Sequence, residues 1–142
     1  MNDPLIVITD ADAIVAQTFP DDANHQKAIR ISQNLINLNA QVIYPVTAVA
    51  EAVTFMQRVL SSGSTAYSTA VSFTNPNVQI VEIDQDIYSY AVRYFSPKTS
   101  KKNTLFDCIV AAVAKRYKAD AIFSFDHFYK SKGFKLADEL KW

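Results

Sequence analysis

The chain has 142 residues, 14 basic and 14 acidic side chains, and is 49% apolar and 20% charged, which suits one domain with a substantial core and excludes a disordered segment. No apolar run approaches the roughly 20 residues needed to span a bilayer. The opening MNDPLIVITDAD carries an acid in place of a basic region, so neither a membrane helix nor a signal peptide is expected. With one cysteine, Cys108, and two histidines, His25 and His127, an internal disulfide or a structural zinc site is not expected; a reducing cytoplasm is.

Residues 5–9 are a short, wholly apolar, β-branched run, the pattern of a strand buried on both faces. Similar runs recur at 41–44, 78–83 and 121–125. Asp10 and Asp12 follow the first run in a stretch that reads as a turn. A helix is predicted over 23–38, with Ala28, Ile31, Leu35 and Leu38 on one face. A second runs from Pro45 to about residue 60, with Val49, Val53, Met56 and Leu60 aligned, and ends at Ser61-Ser62-Gly63. A shorter helix over 65–73 precedes the turn Asn75-Pro76-Asn77. Asp84 is placed to cap a helix over 85–95, and 96–103 (SPKTSKKN) is the most loop-like stretch. The helix over 104–118 is apolar on nearly every side and should be central. Strands alternating with helices predict a single α/β domain over 1–142 with a mainly parallel sheet.

Four carboxylates stand where strands end or helices begin. Asp10 follows the first strand and Asp126 the last; Glu51 and Asp107 lie in the early turns of apolar helices. In an open α/β sheet, ligands gather beyond the carboxyl ends of the strands. Asp10, Glu51 and Asp126 belong to that rim, whereas the sequence leaves open which edge Asp107 faces. Each acid also has an ordinary structural explanation. Asp107, three residues after Thr104, has the spacing of a capping box; Asp126 could cap a turn over 126–134; Glu51 could be a solvated helix residue. Acids brought together would repel one another and raise each other's pKa values. A hard, oxygen-ligated divalent cation such as Mg²⁺ or Mn²⁺ relieves that repulsion.

Other constellations are weaker. There is no glycine-rich phosphate loop and no Gly-x-Ser-x-Gly elbow. Cys108 sits inside an apolar helix as core does, and Tyr88, Tyr90 and Tyr94 could contribute to an interface. Charge is uneven along the chain, with four basic and nine acidic residues in 1–97 against ten basic and five acidic in 98–142. Such a bias suits a polyanionic partner, although a solvated basic surface gives the same pattern.

ITDADAIVA, the helix PVTAVAEAV, NTLFDCIVAAVAKRYKA and the closing IFSFDHFY together resemble the successive motifs of PIN-domain nucleases, most closely the VapC-type toxins of toxin–antitoxin pairs. The resemblance spans about residues 5–135 and implies a three-layer α/β/α sandwich. It makes Asp10, Glu51, Asp107 and Asp126 the family's four acids in order, and Ser124 its small hydroxyl residue. Asp12 departs from the serine or asparagine common there, and could add a metal ligand or change metal preference. The activity implied is a cytoplasmic endoribonuclease hydrolysing RNA. Asp10 and Asp107 would hold Mg²⁺ or Mn²⁺ with help from Asp126, and Glu51 would orient the attacking water. Ser124, Lys98, Lys101 and Lys102, with Lys130 and Lys132, are the candidate RNA contacts. A small antitoxin protein and a homodimer are the expected partners. Two other readings stay open: a non-catalytic module whose acidic pocket takes basic side chains, and a HAD-type phosphotransferase with Asp10 as nucleophile and Asp12 as acid/base.

Overall fold

A computed structural model of the protein describes residues 3–141; Met1, Asn2 and Trp142, which the expected domain includes, lie outside the described residues. Four strands, β1 (Ile6–Thr9), β2 (Gln41–Pro45), β3 (Gln79–Val81) and β4 (Ala121–Phe123), form one sheet in the order β3-β2-β1-β4. Every pairing is parallel, with Val7 opposite both Val42 and Ala121. Parallel neighbours need crossovers, and helices supply them. They are α1 (Ala11–Thr18), α2 (His25–Asn37), α3 (Val46–Arg58), α4 (Gly63–Ser72), α5 (Gln85–Val92), α6 (Leu105–Arg116) and the single-turn α7 (Phe128–Ser131), followed by a 3₁₀ turn at Ala137–Glu139.

Successive residues of a strand point to opposite faces, which explains why the strands read as unbroken apolar runs. Val7 and Phe123 pack with Ala28, Ile31 and Leu35 of α2 on one face. Ile8, Ile43 and Ile122 pack with α5 and α6 on the other. The result is the expected α/β/α sandwich. A third cluster joins α1, α3 and α4 through Ile14, Val15, Val49, Met56 and Ala66. Helix α6 is buried continuously from Asp107 to Ala114, as its all-round apolar sequence requires.

Two local features depart from expectation. Residues 11–18, where only a turn at Asp10 and Asp12 is expected, form α1, with Asp10 as its N-cap accepting the Ala11 N–H. Five of the eight residues of α1 are buried, so it lacks the polar stripe by which a surface helix is recognised. The second departure is β3 and β4, each three residues long and shorter than their apolar runs; the residues beyond β4 leave the ladder to build the site.

Met56 is fully buried against α1 and α4, whereas Val59, three residues on, is 63% exposed. Met56→Ala is expected to cost about 2–5 kcal/mol in denaturant unfolding. Val59→Ala should stay within about 0.5 kcal/mol. Equal losses at the two positions would contradict this packing.

Candidate active site

The site follows from the direction of the helices. α1 and α3 leave the carboxyl ends of β1 and β2, and α6 runs back toward the start of β4, so all three begin at the carboxyl edge of the sheet. Asp10 caps α1, Glu51 lies in the second turn of α3, and Asp107 lies in the first turn of α6. Asp126 arrives from the segment after β4, the strand paired with β1. A pocket of about 280 Å³ collects Asp10, Asp12, Glu51, Asp107 and Asp126, with Lys102 also on its wall. The edge that Asp107 faces, open from sequence alone, is therefore the edge of the other three.

Neutral donors hold these carboxylates. Asp10 accepts the Ala11 N–H at 2.7 Å through Oδ1 and the Tyr129 hydroxyl at 2.6 Å through Oδ2. Asp107 Oδ2 accepts the Thr104 N–H at 3.0 Å, so the capping spacing and the site use the same carboxylate. The Asn103 amide donates to Asp126 Oδ2 at 2.8 Å and reaches Asp107 Oδ2 at 3.5 Å. Asp126 Oδ1 accepts the Phe128 N–H at 2.9 Å, which shapes the turn into α7. Asp12 Oδ2 accepts from Ser124 Oγ at 2.9 Å and from the Phe125 N–H at 2.8 Å, tying the start of α1 to the end of β4. Its Oδ1 is buried without a partner among the described residues.

At Asp10, Asp12, Asp107 and Glu51 the electrostatic consequence has the same sign. Burial, then the charge of Asp12, pushes Asp10 well above the usual carboxylate range, against the donation from Tyr129. Burial raises Asp12 to about 6, and raises Asp107 despite the Thr104 N–H. Glu51 rises to about 7, through burial first and then the charges of Asp107 and Asp12. The three ion pairs among the described residues, Lys27–Asp138, Arg116–Asp84 and Lys130–Glu139, all lie elsewhere.

Such a pocket suits a hard cation. Its donors are carboxylate oxygens, and Asp12 Oδ1 is a buried oxygen lacking a partner. Among the described residues no three His, Cys, Asp or Glu side chains converge tightly enough to enclose an ion by themselves.

The lysines divide. Lys102 lines the pocket, Lys101 lines an adjoining hollow, and Lys98 is exposed on the same loop between α5 and α6. Lys130 is paired with Glu139 at 3.1 Å, and Lys132 lies over the Phe128 ring at 5.4 Å. Two residues that sequence reasoning passed over belong to the site, Tyr129 and Asn103. For Asn103 the signal was its spacing of four from Asp107. For Tyr129 there was none, since a buried phenol and a core aromatic look alike in sequence.

Folding raises Glu51 from 4.5 to about 7, so the folded state binds this proton more tightly than the unfolded state does. The stability it contributes is present at low pH and is lost as the pH rises from 4.5 through about 7. In metal-free protein, Glu51→Gln should therefore raise the melting temperature above that window and leave it nearly unchanged at the acid end. A difference independent of pH would contradict the burial of this carboxylate among like charges.

No curated protein is significantly similar to the chain in sequence. In three dimensions it is similar to VapC20 of Mycobacterium tuberculosis, a sarcin-ricin loop cleaving toxin, with TM-score 0.76 and 18% identity over 90% of this chain and 95% of that one. FitAcB of Neisseria gonorrhoeae matches with TM-score 0.65 and 16% identity over 94% of this chain and 99% of that one. VapBC2 of Rickettsia felis, solved bound to a DNA fragment from its promoter, matches with TM-score 0.61 and 13% identity over 93% and 97%. Identities this low speak for the fold alone. The sequence itself matches the PIN domain across residues 7–135, a stretch that includes all four ordered acids: the chain belongs to the PIN domain family.

Proposed function

We propose that the chain is a Mg²⁺- or Mn²⁺-dependent endoribonuclease that hydrolyses RNA phosphodiester bonds, the toxin of a toxin–antitoxin pair. The observation that carries this reading is the gathering of Asp10, Glu51, Asp107 and Asp126 in one pocket at the carboxyl edge of the sheet. Membership of the PIN domain family and the likeness in fold to a toxin that cleaves the sarcin-ricin loop support it.

On this reading Asp10 and Asp107 would hold the cation, directly or through water, with help from Asp126. When bound, it supplies positive charge beside the scissile phosphate. Glu51 also lines the pocket, its carboxyl raised to about 7 chiefly by burial, where its carboxylate can orient the attacking water and take its proton. Asn103 keeps Asp126 turned toward Asp107. Ser124 bridges Asp12 and the backbone N–H of Asp126, fixing the segment on which Asp126 stands. Lys98, Lys101 and Lys102 approach the RNA backbone from the α5–α6 loop, contacts that position a strand without reading its bases.

An antitoxin of small size is the proposed partner, acting in the cytoplasm on a homodimer of this chain. Exposed Val59, Leu60, Tyr67 and Val71 on and around α3 and α4 offer it apolar surface, and the acidic pocket offers a seat for a basic side chain. The phosphotransferase reading loses support from Asp12, whose Oδ2 is occupied by Ser124 and Phe125 and whose Oδ1 is enclosed.

Asp10→Asn and Asp107→Asn should each abolish metal-dependent RNA cleavage with the fold retained, and Glu51→Gln should lower it by about 10²–10⁴-fold. Parental rates in both Asn variants would dismiss the assignment.

Changing Lys98, Lys101 and Lys102 to Gln in the Asp10→Asn background should flatten the dependence of RNA affinity on salt, the log–log slope falling by roughly 0.7 for each phosphate that is no longer neutralised. Lys130→Gln with Lys132→Gln should change it less, because those side chains already engage Glu139 and Phe128. An unchanged slope in the first variant would make the loop lysines solvated bystanders.

A further inference from the structure

Tyr129 lies on α7, three residues after Asp126, and its side chain is fully buried in the cluster built on α6. A phenylalanine would fill that space equally well. The hydroxyl is the part that core packing does not need, and burying it is unfavourable unless it finds a partner. Its partner is Asp10 Oδ2 at 2.6 Å, and the phenol oxygen also stands 3.5 Å from Asp107 Oδ1. A hydroxyl has one proton to give, and the shorter distance assigns it to Asp10.

Asp10 has few other donors. The Ala11 N–H holds Oδ1 at 2.7 Å. Ser124 Oγ is 3.4 Å from Asp10 Oδ2 but 2.9 Å from Asp12 Oδ2, so its proton goes to Asp12. Without the phenol, Asp10 would keep one donor while Asp12 and Asp107 repel it. Each carboxylate oxygen accepts about two hydrogen bonds. Tyr129 and Ala11 therefore each leave a lone pair free on the oxygen they hold.

We propose that Tyr129 is a positioning residue for the cation site: its buried hydroxyl fixes the carboxylate of Asp10 beside Asp107, so that the pair meets a divalent cation already oriented. The inference rests on the metal-binding reading above. Tyr129 acts through Asp10, as an outer partner that orients a ligand and whose loss typically weakens metal affinity 10–100-fold. Its ring belongs to the core and its hydroxyl to the site, so the two roles separate in Tyr129→Phe.

The test is Mn²⁺ binding to the full chain without RNA, followed by electron paramagnetic resonance of free Mn²⁺. Tyr129→Phe should keep the parental circular dichroism and bind Mn²⁺ about tenfold more weakly. Leu35→Ala, which loosens the core on the opposite face of the sheet, serves as the comparison for general destabilisation and should bind as the parent does. Parental affinity in Tyr129→Phe would overturn the inference alone, as would an equal loss in Leu35→Ala. A parent that binds no Mn²⁺ would overturn the metal reading and this inference with it.

Discussion

Repulsion among buried carboxylates is the constraint on which the rest of the structure depends. Asp10, Asp12, Glu51 and Asp107 all have raised pKa values, and burial is the first cause in each. A fold that wanted only stability would pair such groups with arginine or lysine, or replace them with apolar residues of similar volume. Here the partners are a phenol, an amide, a serine hydroxyl and backbone N–H groups. These hold the carboxylates in place without cancelling their charge. Negative potential is thereby kept in the pocket at the expense of the folded state, a pattern typical of functional sites.

The topology makes this tolerable. β1 sits between β2 and β4, so the segments leaving three adjacent strands, together with the start of α6, meet at one edge. That edge receives the amino ends of α1, α3 and α6, whose unpaired N–H groups and dipoles favour negative charge. Asp10 and Asp107 exploit this directly, one as the N-cap of α1 and the other in the first turn of α6. Capping and site construction are thus a single arrangement. Residues 97 positions apart in the chain become neighbours because α6 must start at the edge where Asp10 stands if it is to lead back into β4.

Much of this was legible in the chain because the signals were large and local. Apolar runs marked all four strands, and the all-round apolar character of α6 marked it as central. The order of the acids marked the family. Helix α1 was not legible, because a short helix buried on most sides has no polar stripe to betray its period. Nor were Tyr129 and Asn103, whose roles depend on what lies across the pocket. The basic residues after β4 illustrate the limit from the other side. In sequence Lys130 and Lys132 look equivalent to the loop lysines, yet one is paired with Glu139 and the other lies over Phe128, while Lys102 alone of the five lines the pocket.

Asp12 sharpens the electrostatic character of the site. Where the PIN-domain resemblance leads one to expect serine or asparagine, this chain has a carboxylate, whose Oδ2 bridges by accepting from Ser124 and Phe125. Its charge makes the site more negative, as the causes that raise both Asp10 and Glu51 attest. On the metal-dependent ribonuclease reading proposed above, this has a definite consequence. A polyanion approaching so acidic a pocket is opposed at short range until a cation reduces the negative charge, and the opposition grows as water is excluded. Metal and RNA would then favour each other's binding more strongly here than in a relative with a neutral residue at this position, by the reciprocity that links any two ligands of one site. The α5–α6 loop lysines, one of them on the pocket wall, stand where their positive charge would draw an RNA backbone toward the pocket.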